Sequence, residues 1–508
     1  MMLIEVTAPR LMAPYFGTSA FTWTNVIGGI MAALAAGYYL GGKLADRRPQ
    51  LSTALWLTIA GTVLIAGVPA LAPALSSALL PPETSGLSSV PLHARASLLV
   101  TLVVFAPPLL LMGALSPVVV RQLTRLQDIG GASGANSTAA TTGALLGTFL
   151  PTLWLIPTIG SRLSIALAAA VMAIVTCALA IEVRCRAAAL IAMGAAIVAF
   201  SFGAKAGPLR MVEGMIDERE TQYQLARVVQ DGTRTELQFD TQFRGAQSVH
   251  VQDKELTGEY FDYLMLLPFL VSGSHPQPLR VLILGLGSGT VPRQYQYFIA
   301  PTQRLEIEAV EIDPALVQLG RKYFDLARST DAGLTLHIGD GRSFLRATAR
   351  QYDVIVLDVF SHQEFLPFQL ASVEFFRLVR QHLAPGGVLG MNIVVRHFPS
   401  SLLDAVEKTV LVAFGSAWHF NVPDTFNVQL IACRDRELDL AEAARKASGY
   451  RPESVDPGEA AALRDLMVTG LQAIAAIAAK PNGLLLTDDR APVEQLMLAD
   501  IRAAWAVR

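Results

Sequence analysis

Gly285-Leu286-Gly287-Ser288-Gly289 follows the apolar run RVLIL and precedes a helical stretch. Glycines at such a turn let the backbone approach a ligand that a side chain would exclude. Glu311 closes the next apolar run, about 20 residues on, where a carboxylate can accept both hydroxyls of a ribose. Asp340, followed by Gly341, ends a third run and is placed to receive an adenine amino group or to cap the next turn. Asp358 ends a fourth, YDVIVLD. Asp313 reads as a helix N-cap.

These residues need a frame that puts four chain segments side by side. The runs RVLILGLG, LEIEAVEID, LTLHIGD, YDVIVLDVF and GGVLGMNIVV, each followed by a helical stretch, predict a doubly wound parallel sheet. All four candidate positions then fall at carboxyl ends of strands, where open α/β sheets bind ligands. Upstream, TQYQLARVV and RTELQFD alternate as strands of a small sheet, followed by a helix over 256–272. The tail from about residue 437 reads as mostly helical, including the Ala-rich run 472–479.

The first 205 residues have another character. They hold 11 Lys and Arg and 5 Asp and Glu, leaving 29 basic and 37 acidic residues, a net charge of −8, to the rest of the 508. A mean hydropathy of +0.43 with 16% charged residues excludes disorder. Apolar runs at 20–42, 51–75, 96–120, 138–157, 163–182 and 187–204 are long enough to cross a bilayer. A seventh span is conceivable at the N-terminus, where Glu5 and Arg10 argue against a cleavable signal peptide. Glu5, Arg10, Asn25 and Asn136 are candidate polar groups within the membrane layer. The division expected is a transmembrane helical domain at 1–205, a small β-strand region with connecting helix at 206–275, and a Rossmann-like domain with a helical tail at 276–508. No Lys/Arg-rich run supports nucleic-acid binding. Cys177, Cys185 and Cys433 lack metal or redox spacing.

Basic residues gather at three turns: Lys43, Arg47 and Arg48; Arg121 and Arg125; Arg184 and Arg186. Carried forward, that alternation puts the C-terminal part outside the cell, whereas a nucleotide-derived donor is made inside. The expectation adopted is a multi-pass protein of the inner membrane with its C-terminal part on the cytoplasmic face.

With TQYQ, FDTQFRGAQS, EYFDYLMLLPF, AVEIDPALVQLGRKYF, GDGRSFL, YDVIVLD and LLTDDRAPVE in place, the chain over roughly 220–435 resembles the spermidine synthase family. These are aminopropyltransferases built on the S-adenosylmethionine-dependent methyltransferase fold. With APYFGTS, GYYLGGKLADR and GALLGTFLPTLWLIPTIG, the whole chain resembles the membrane-integrated spermidine synthase-like proteins, whose N-terminal part is similar to half of a major facilitator transporter. The resemblance implies that Gln224 and Gln247 contact a sulfonium donor, S-adenosylmethionine or its decarboxylated form, with Glu311 on its ribose and Asp340 on its adenine. Tyr260 and Asp358 would meet the attacking amine of a diamine or polyamine. No metal is implied, and soluble relatives assemble as homo-oligomers.

Two departures bear on the reaction. The family carries an acid within the glycine loop and another three places after the catalytic Asp, where this chain has Ser288 and Ser361. Phe261 also replaces a usual polar residue. Glu364 is a candidate for the missing second anion, and His362 for proton transfer. Without a loop carboxylate to grip an aminopropyl ammonium, methyl transfer from S-adenosylmethionine to a putrescine-like amine is the expected chemistry. Aminopropyl transfer making spermidine, and a non-catalytic polyamine sensor or transporter, are the alternatives. For Asp488 and Asp489 two readings stand equal: a local pair with Arg490 that caps the last helix, and a role in the site.

Overall fold

The computed structural model describes residues 1–16, 20–79, 90–204, 208–239, 245–272, 278–359, 366–395, 397–478 and 483–506. They form two compact units that interleave in sequence. The first contains Met1–Val212 and Glu220–Leu225; the second contains Glu213–Arg219, Ala226–Phe239 and Gly245–Arg508.

The first unit is helical: α1 (Met2–Phe16), α2 (Ala20–Arg47), α3 (Leu51–Leu79), α4 (Val90–Val100), α5 (Ala106–Leu123), α6 (Ile129–Leu150), α7 (Ile156–Val183) and α8 (Arg186–Gly203). Single π-turns at Thr101–Phe105 and Pro151–Leu155 carry α4 into α5 and α6 into α7. Pro107, Pro108 and Pro151 lack the N–H that a regular α ladder needs there. The apolar runs 138–157 and 163–182 fall on two helices that meet at Gly160, whose φ of 78° and ψ of 168° are non-helical, so α7 is broken there. Among the described residues, five helices are long and apolar enough to cross a membrane by length and composition.

Several polar side chains in this unit are paired. Asn25 donates to Ser97 Oγ at 2.9 Å and Asn136 to Ser116 Oγ at 2.9 Å. Arg10 donates to the carbonyls of Thr221 (2.6 Å) and Gln222 (3.1 Å). Glu220 accepts from Ser161 N (2.8 Å) and Ser161 Oγ (2.7 Å), so its carboxylate caps the helix restarting after Gly160.

The second unit opens with a four-stranded antiparallel sheet, β1 (Met215–Glu220), β2 (Leu225–Asp231), β3 (Arg234–Phe239) and β4 (Ser248–Val251). TQYQ is a turn between β1 and β2 rather than part of a strand. The helix expected over 256–272 is a 3₁₀ segment, Tyr260–Leu266, running into the single turn α9 (Leu267–Leu270).

Next come β5 (Leu279–Leu284), α10 (Thr290–Gln294), β6 (Leu305–Glu311), α11 (Pro314–Tyr323), α12 (Leu326–Asp331), β7 (Leu334–Ile338), α13 (Gly341–Ala347), β8 (Tyr352–Leu357), α14 (Val373–His382), β9 (Leu383–Val394) and α15 (Ser401–Phe414). The chain finishes with β10 (Ala417–Asn421), β11 (Asn427–Cys433), α16 (Leu440–Ser448), α17 (Pro457–Ala473), β12 (Ala475–Ala476) and α18 (Val493–Ala506). The large sheet has the order β12-β10-β11-β9-β8-β5-β6-β7. Five strands are parallel as expected, but β11, β10 and β12 extend the sheet antiparallel. The Ala-rich run is not helical throughout: α17 stops at Ala473, and Ala475 and Ala476 pair with β10. Helices start on local signals, Asp313 accepting from Ala315 N ahead of Pro314, and Ser372 accepting from Phe375 N.

Strand β8 is buried at every position and β5 at all but Arg280, as expected of central parallel strands covered on both faces. The register brings their carboxyl ends level: Leu284 pairs with Val310 on one side and Leu357 on the other, and Leu357 with Met391. One residue further along each strand stand Gly285, Glu311, Asp358 and Asn392.

Candidate active site

The chain leaves β5 toward β6 on one side and returns as β8 on the other, so the Gly285 turn sits where strand order reverses. Such a switch point opens a crevice at the carboxyl end of the sheet. Gly285 has φ +87°, and a Cβ there would lie 2.2 Å from the Asp358 carbonyl oxygen. Gly287 has φ +57°, and its Cβ would lie 2.6 Å from Ser248 Oγ and 3.2 Å from the Gln247 carbonyl oxygen. Only glycine satisfies both the left-handed backbone and these approaches. The turn thus packs against the start of β4, which brings Gln247 beside it.

Glu311 is buried, and its carboxylate clasps the turn. Oε2 accepts from Leu286 N (3.1 Å) and Gly287 N (2.9 Å), and Oε1 from Asp313 N (3.0 Å). Burial pushes its carboxyl up to about 7, against the pull of those backbone N–H groups. A carboxylate has about four lone-pair sites, so three bonds leave acceptor capacity for a hydroxyl, and the residue fits a ribose contact. Asp340 caps α13, accepting from Ser343 N at 2.8 Å, and remains partly exposed.

Asp358 has both oxygens engaged by uncharged donors. Tyr260 Oη donates to Oδ2 at 2.9 Å and Asn392 Nδ2 to Oδ1 at 3.1 Å. Asn427 Nδ2 donates to Asn392 Oδ1 at 2.9 Å, which fixes the orientation of the Asn392 amide. Burial raises the Asp358 carboxyl to about 6, the two hydrogen bonds opposing it. Tyr260 is pushed well above its ordinary range, first by burial and then by Asp358. The phenol therefore stays a donor. Asp262 fixes the turn that carries Tyr260, accepting from Thr257 N, Thr257 Oγ1, Gly258 N and Gln294 Nε2.

The sequence expectations named neither Asn392 and Asn427 nor Asp262. For Asn392 a signal existed: a lone amide in the apolar run VLGMNIVV, one residue past the level at which the other strands end. Ser288 is fully buried, with its hydroxyl 3.5 Å from the Leu316 carbonyl, so it is part of the turn's packing. Gly289, at φ +98°, faces Leu326. Gln224 belongs to the first unit, where its N–H donates to Thr221 Oγ1 at 3.0 Å. Ser361, His362 and Glu364 lie outside the described residues. Asp488 does not pair with Arg490; it binds Arg342. Among the described residues no cluster of His, Cys, Asp and Glu could hold a metal ion.

Strand-end carboxylates around a glycine turn at a switch point are the arrangement with which open α/β sheets bind ligands. Residues 261–415 match the spermine/spermidine synthase domain. A probable polyamine aminopropyl transferase of Bifidobacterium longum is 33% identical over 290 residues, 55% of this chain and 61% of that protein. The polyamine aminopropyltransferase of Vibrio vulnificus is 32% identical over 215 residues, 42% of this chain and 68% of that protein. Putrescine N-methyltransferase 2 of Nicotiana tabacum is 38% identical over 134 residues, 25% of this chain and 36% of that protein. The chain belongs to the spermine/spermidine synthase family, and it spans less than two thirds of the Bifidobacterium relative.

Proposed function

We propose that the protein is a membrane-bound transferase that alkylates an amine of a diamine or polyamine, taking the group from an S-adenosylmethionine-type sulfonium. The observation that carries this reading is Asp358, a strand-end carboxylate raised to about 6 and held by Tyr260 and Asn392. At neutral pH it is mostly ionised, so it can pair with an ammonium and accept its proton. The freed nitrogen lone pair then forms the N–C bond as the C–S bond breaks, and the sulfur departs as a neutral thioether without acid assistance. The remaining contribution is alignment. Glu311, Asp340 and Gln247, with Gly285, Gly287, Gly289 and Gly341 shaping the backbone, would hold the donor; Ser361 and Glu364 would extend the amine side.

Methyl transfer to a putrescine-like amine is the finer reading, because the loop position at which the family carries an acid is Ser288 here, which leaves no loop anion to pair with an aminopropyl ammonium. The names of the bacterial relatives favour the second reading, aminopropyl transfer. Mass spectrometry of products from putrescine with each donor distinguishes them: N-methylputrescine from S-adenosylmethionine supports the first, spermidine from the decarboxylated donor the second. Binding without product from either favours a sensor or transporter.

The membrane assignment rests on composition and on exposed apolar side chains. Trp56, Trp154, Tyr39 and Ile174 are each at least 60% exposed, a surface suited to lipid rather than water. The reading takes 1–205 as the bilayer domain, followed by the 206–275 region and a catalytic domain at 276–508. It puts the catalytic domain on the cytoplasmic face of the inner membrane, where the donor is made, and takes the assembly as a homo-oligomer. Labelling of single cysteines introduced into the catalytic domain of intact cells tests the face.

A further inference from the structure

A tail segment ties together two places that flank the site. Arg342, the second residue of α13, is 8% exposed, and it donates Nη1 to Asp488 Oδ1 at 2.7 Å and Nη2 to Asp488 Oδ2 at 2.6 Å. Nη1 also reaches the Gln369 carbonyl at 2.9 Å. The same Asp488 Oδ1 accepts from Ser372 Oγ at 2.5 Å, and Ser372 caps α14. Around this centre Val373 N donates to the Leu486 carbonyl (2.9 Å) and Asp488 N to Glu374 Oε2 (3.0 Å).

One carboxylate near the C-terminus therefore joins the start of α13, immediately after Asp340 and Gly341, to the start of α14, where the chain returns from Asp358. An Arg in the first helical turn opposes the helix dipole, and its burial requires a paired anion. The two-pronged geometry fixes direction as well as distance. Arg342 in turn holds the Asp488 carboxyl below its usual range. Gly341 stands close to Leu284 at the end of β5, where a Cβ would meet Leu284 Cδ2 at 3.4 Å. A shift of α13 would therefore change the spacing between Asp340 and the glycine turn.

We propose that Arg342 and Asp488 form a positioning pair that sets Asp340 and Gly341 for donor binding, so that the tail segment LLTDDRAPVE is part of the donor site's support. This rests on the reading of Asp340 as a donor-binding residue. Neither member of the pair touches the reacting atoms.

The test uses the full-length detergent-purified protein, Asp488→Asn, Arg342→Lys and Asp488→Glu, with binding of S-adenosylmethionine and of its decarboxylated form measured by calorimetry. Thermal unfolding and steady-state kinetics are recorded alongside. Asp488→Asn and Arg342→Lys are expected to weaken binding of the preferred donor about tenfold or more, raising its KM while kcat at saturation stays within about twofold; Asp488→Glu restores much of the loss. Arg342→Lys keeps the charge and serves if Asp488→Asn does not fold. Binding by both variants at the wild-type level overturns the positioning role. So does a loss of kcat and binding together that tracks a fall in Tm. A wild-type protein that binds neither donor overturns the reading of Asp340 itself, and the proposal with it.

Discussion

Replacing Asp358 by Asn removes the charge while keeping the size and one acceptor oxygen. In the folded protein burial raises this carboxyl from 3.8 to about 6. At about 1.36 kcal/mol per pKa unit, ionised Asp358 costs the fold about 3 kcal/mol. The sign follows from the raised value: the cost is present in full above about pH 6 and disappears as pH falls toward 3.8. Asp358→Asn is expected to raise Tm by several degrees at about pH 8 and to leave it nearly unchanged at about pH 3.5, the gain being reduced where Asn392 loses a charged acceptor. Turnover moves the other way. Loss of an amine-binding general base lowers kcat/KM by about 10² to 10⁴. The wild-type rate with saturating donor should rise through an apparent pKa near 6 and level off, and the variant's residual rate should lack that limb. Product formation by mass spectrometry over pH 5 to 9, with scanning calorimetry on the same samples, reads both effects. A variant within about tenfold of wild type, or one that keeps the limb near pH 6, would refute the role given to Asp358.

Two further outcomes are specific. Glu311 titrates near 7 and loses acceptor capacity when protonated, so donor Kd should rise as pH falls below 7; Glu311→Gln should bind about tenfold more weakly with a flat pH profile. A flat wild-type profile by calorimetry would contradict this. Gly285→Ala puts a Cβ 2.2 Å from the Asp358 carbonyl at φ +87°, which should cost about 2 kcal/mol or more and lower Tm by roughly 4 to 8 °C. Gly339→Ala, whose Cβ would meet nothing within 4 Å, should leave Tm almost unmoved.

The parallel strands were legible because central strands buried on both faces are continuous apolar runs, and four of the five end at a glycine or acid that stands out. Asp313 as a cap needed only its neighbour Pro314. Other features depended on partners remote in the chain. Asp488 has an Arg two places on, yet its partner is 146 residues away, and nothing local distinguishes them. The helix propensity of the alanines near 475 yields to pairing with Trp418 and His419. Tyr260–Leu266 is too short for a repeat of 3.0 residues to be told from one of 3.6. Asn392 stood out as a lone amide in an apolar run, but its place beside Asp358 and Glu311 followed only from the strand register.

The contacts of Glu220 and Arg10 carry a consequence for the order in which the molecule is made. Ser161 is synthesised 59 residues before the carboxylate that caps it, and Arg10 emerges 211 residues before the carbonyl of Thr221 that receives it. The helical unit therefore cannot complete its own polar contacts when its last helix leaves the ribosome. It must wait until the chain has passed the first strand of the next sheet, a long-range closure that slows folding and leaves intermediates exposed. A ribosomal pause after residue 205 would hold the helices in an unfinished state, and closure requires Glu220, Thr221 and Gln222 to have emerged from the ribosome as well.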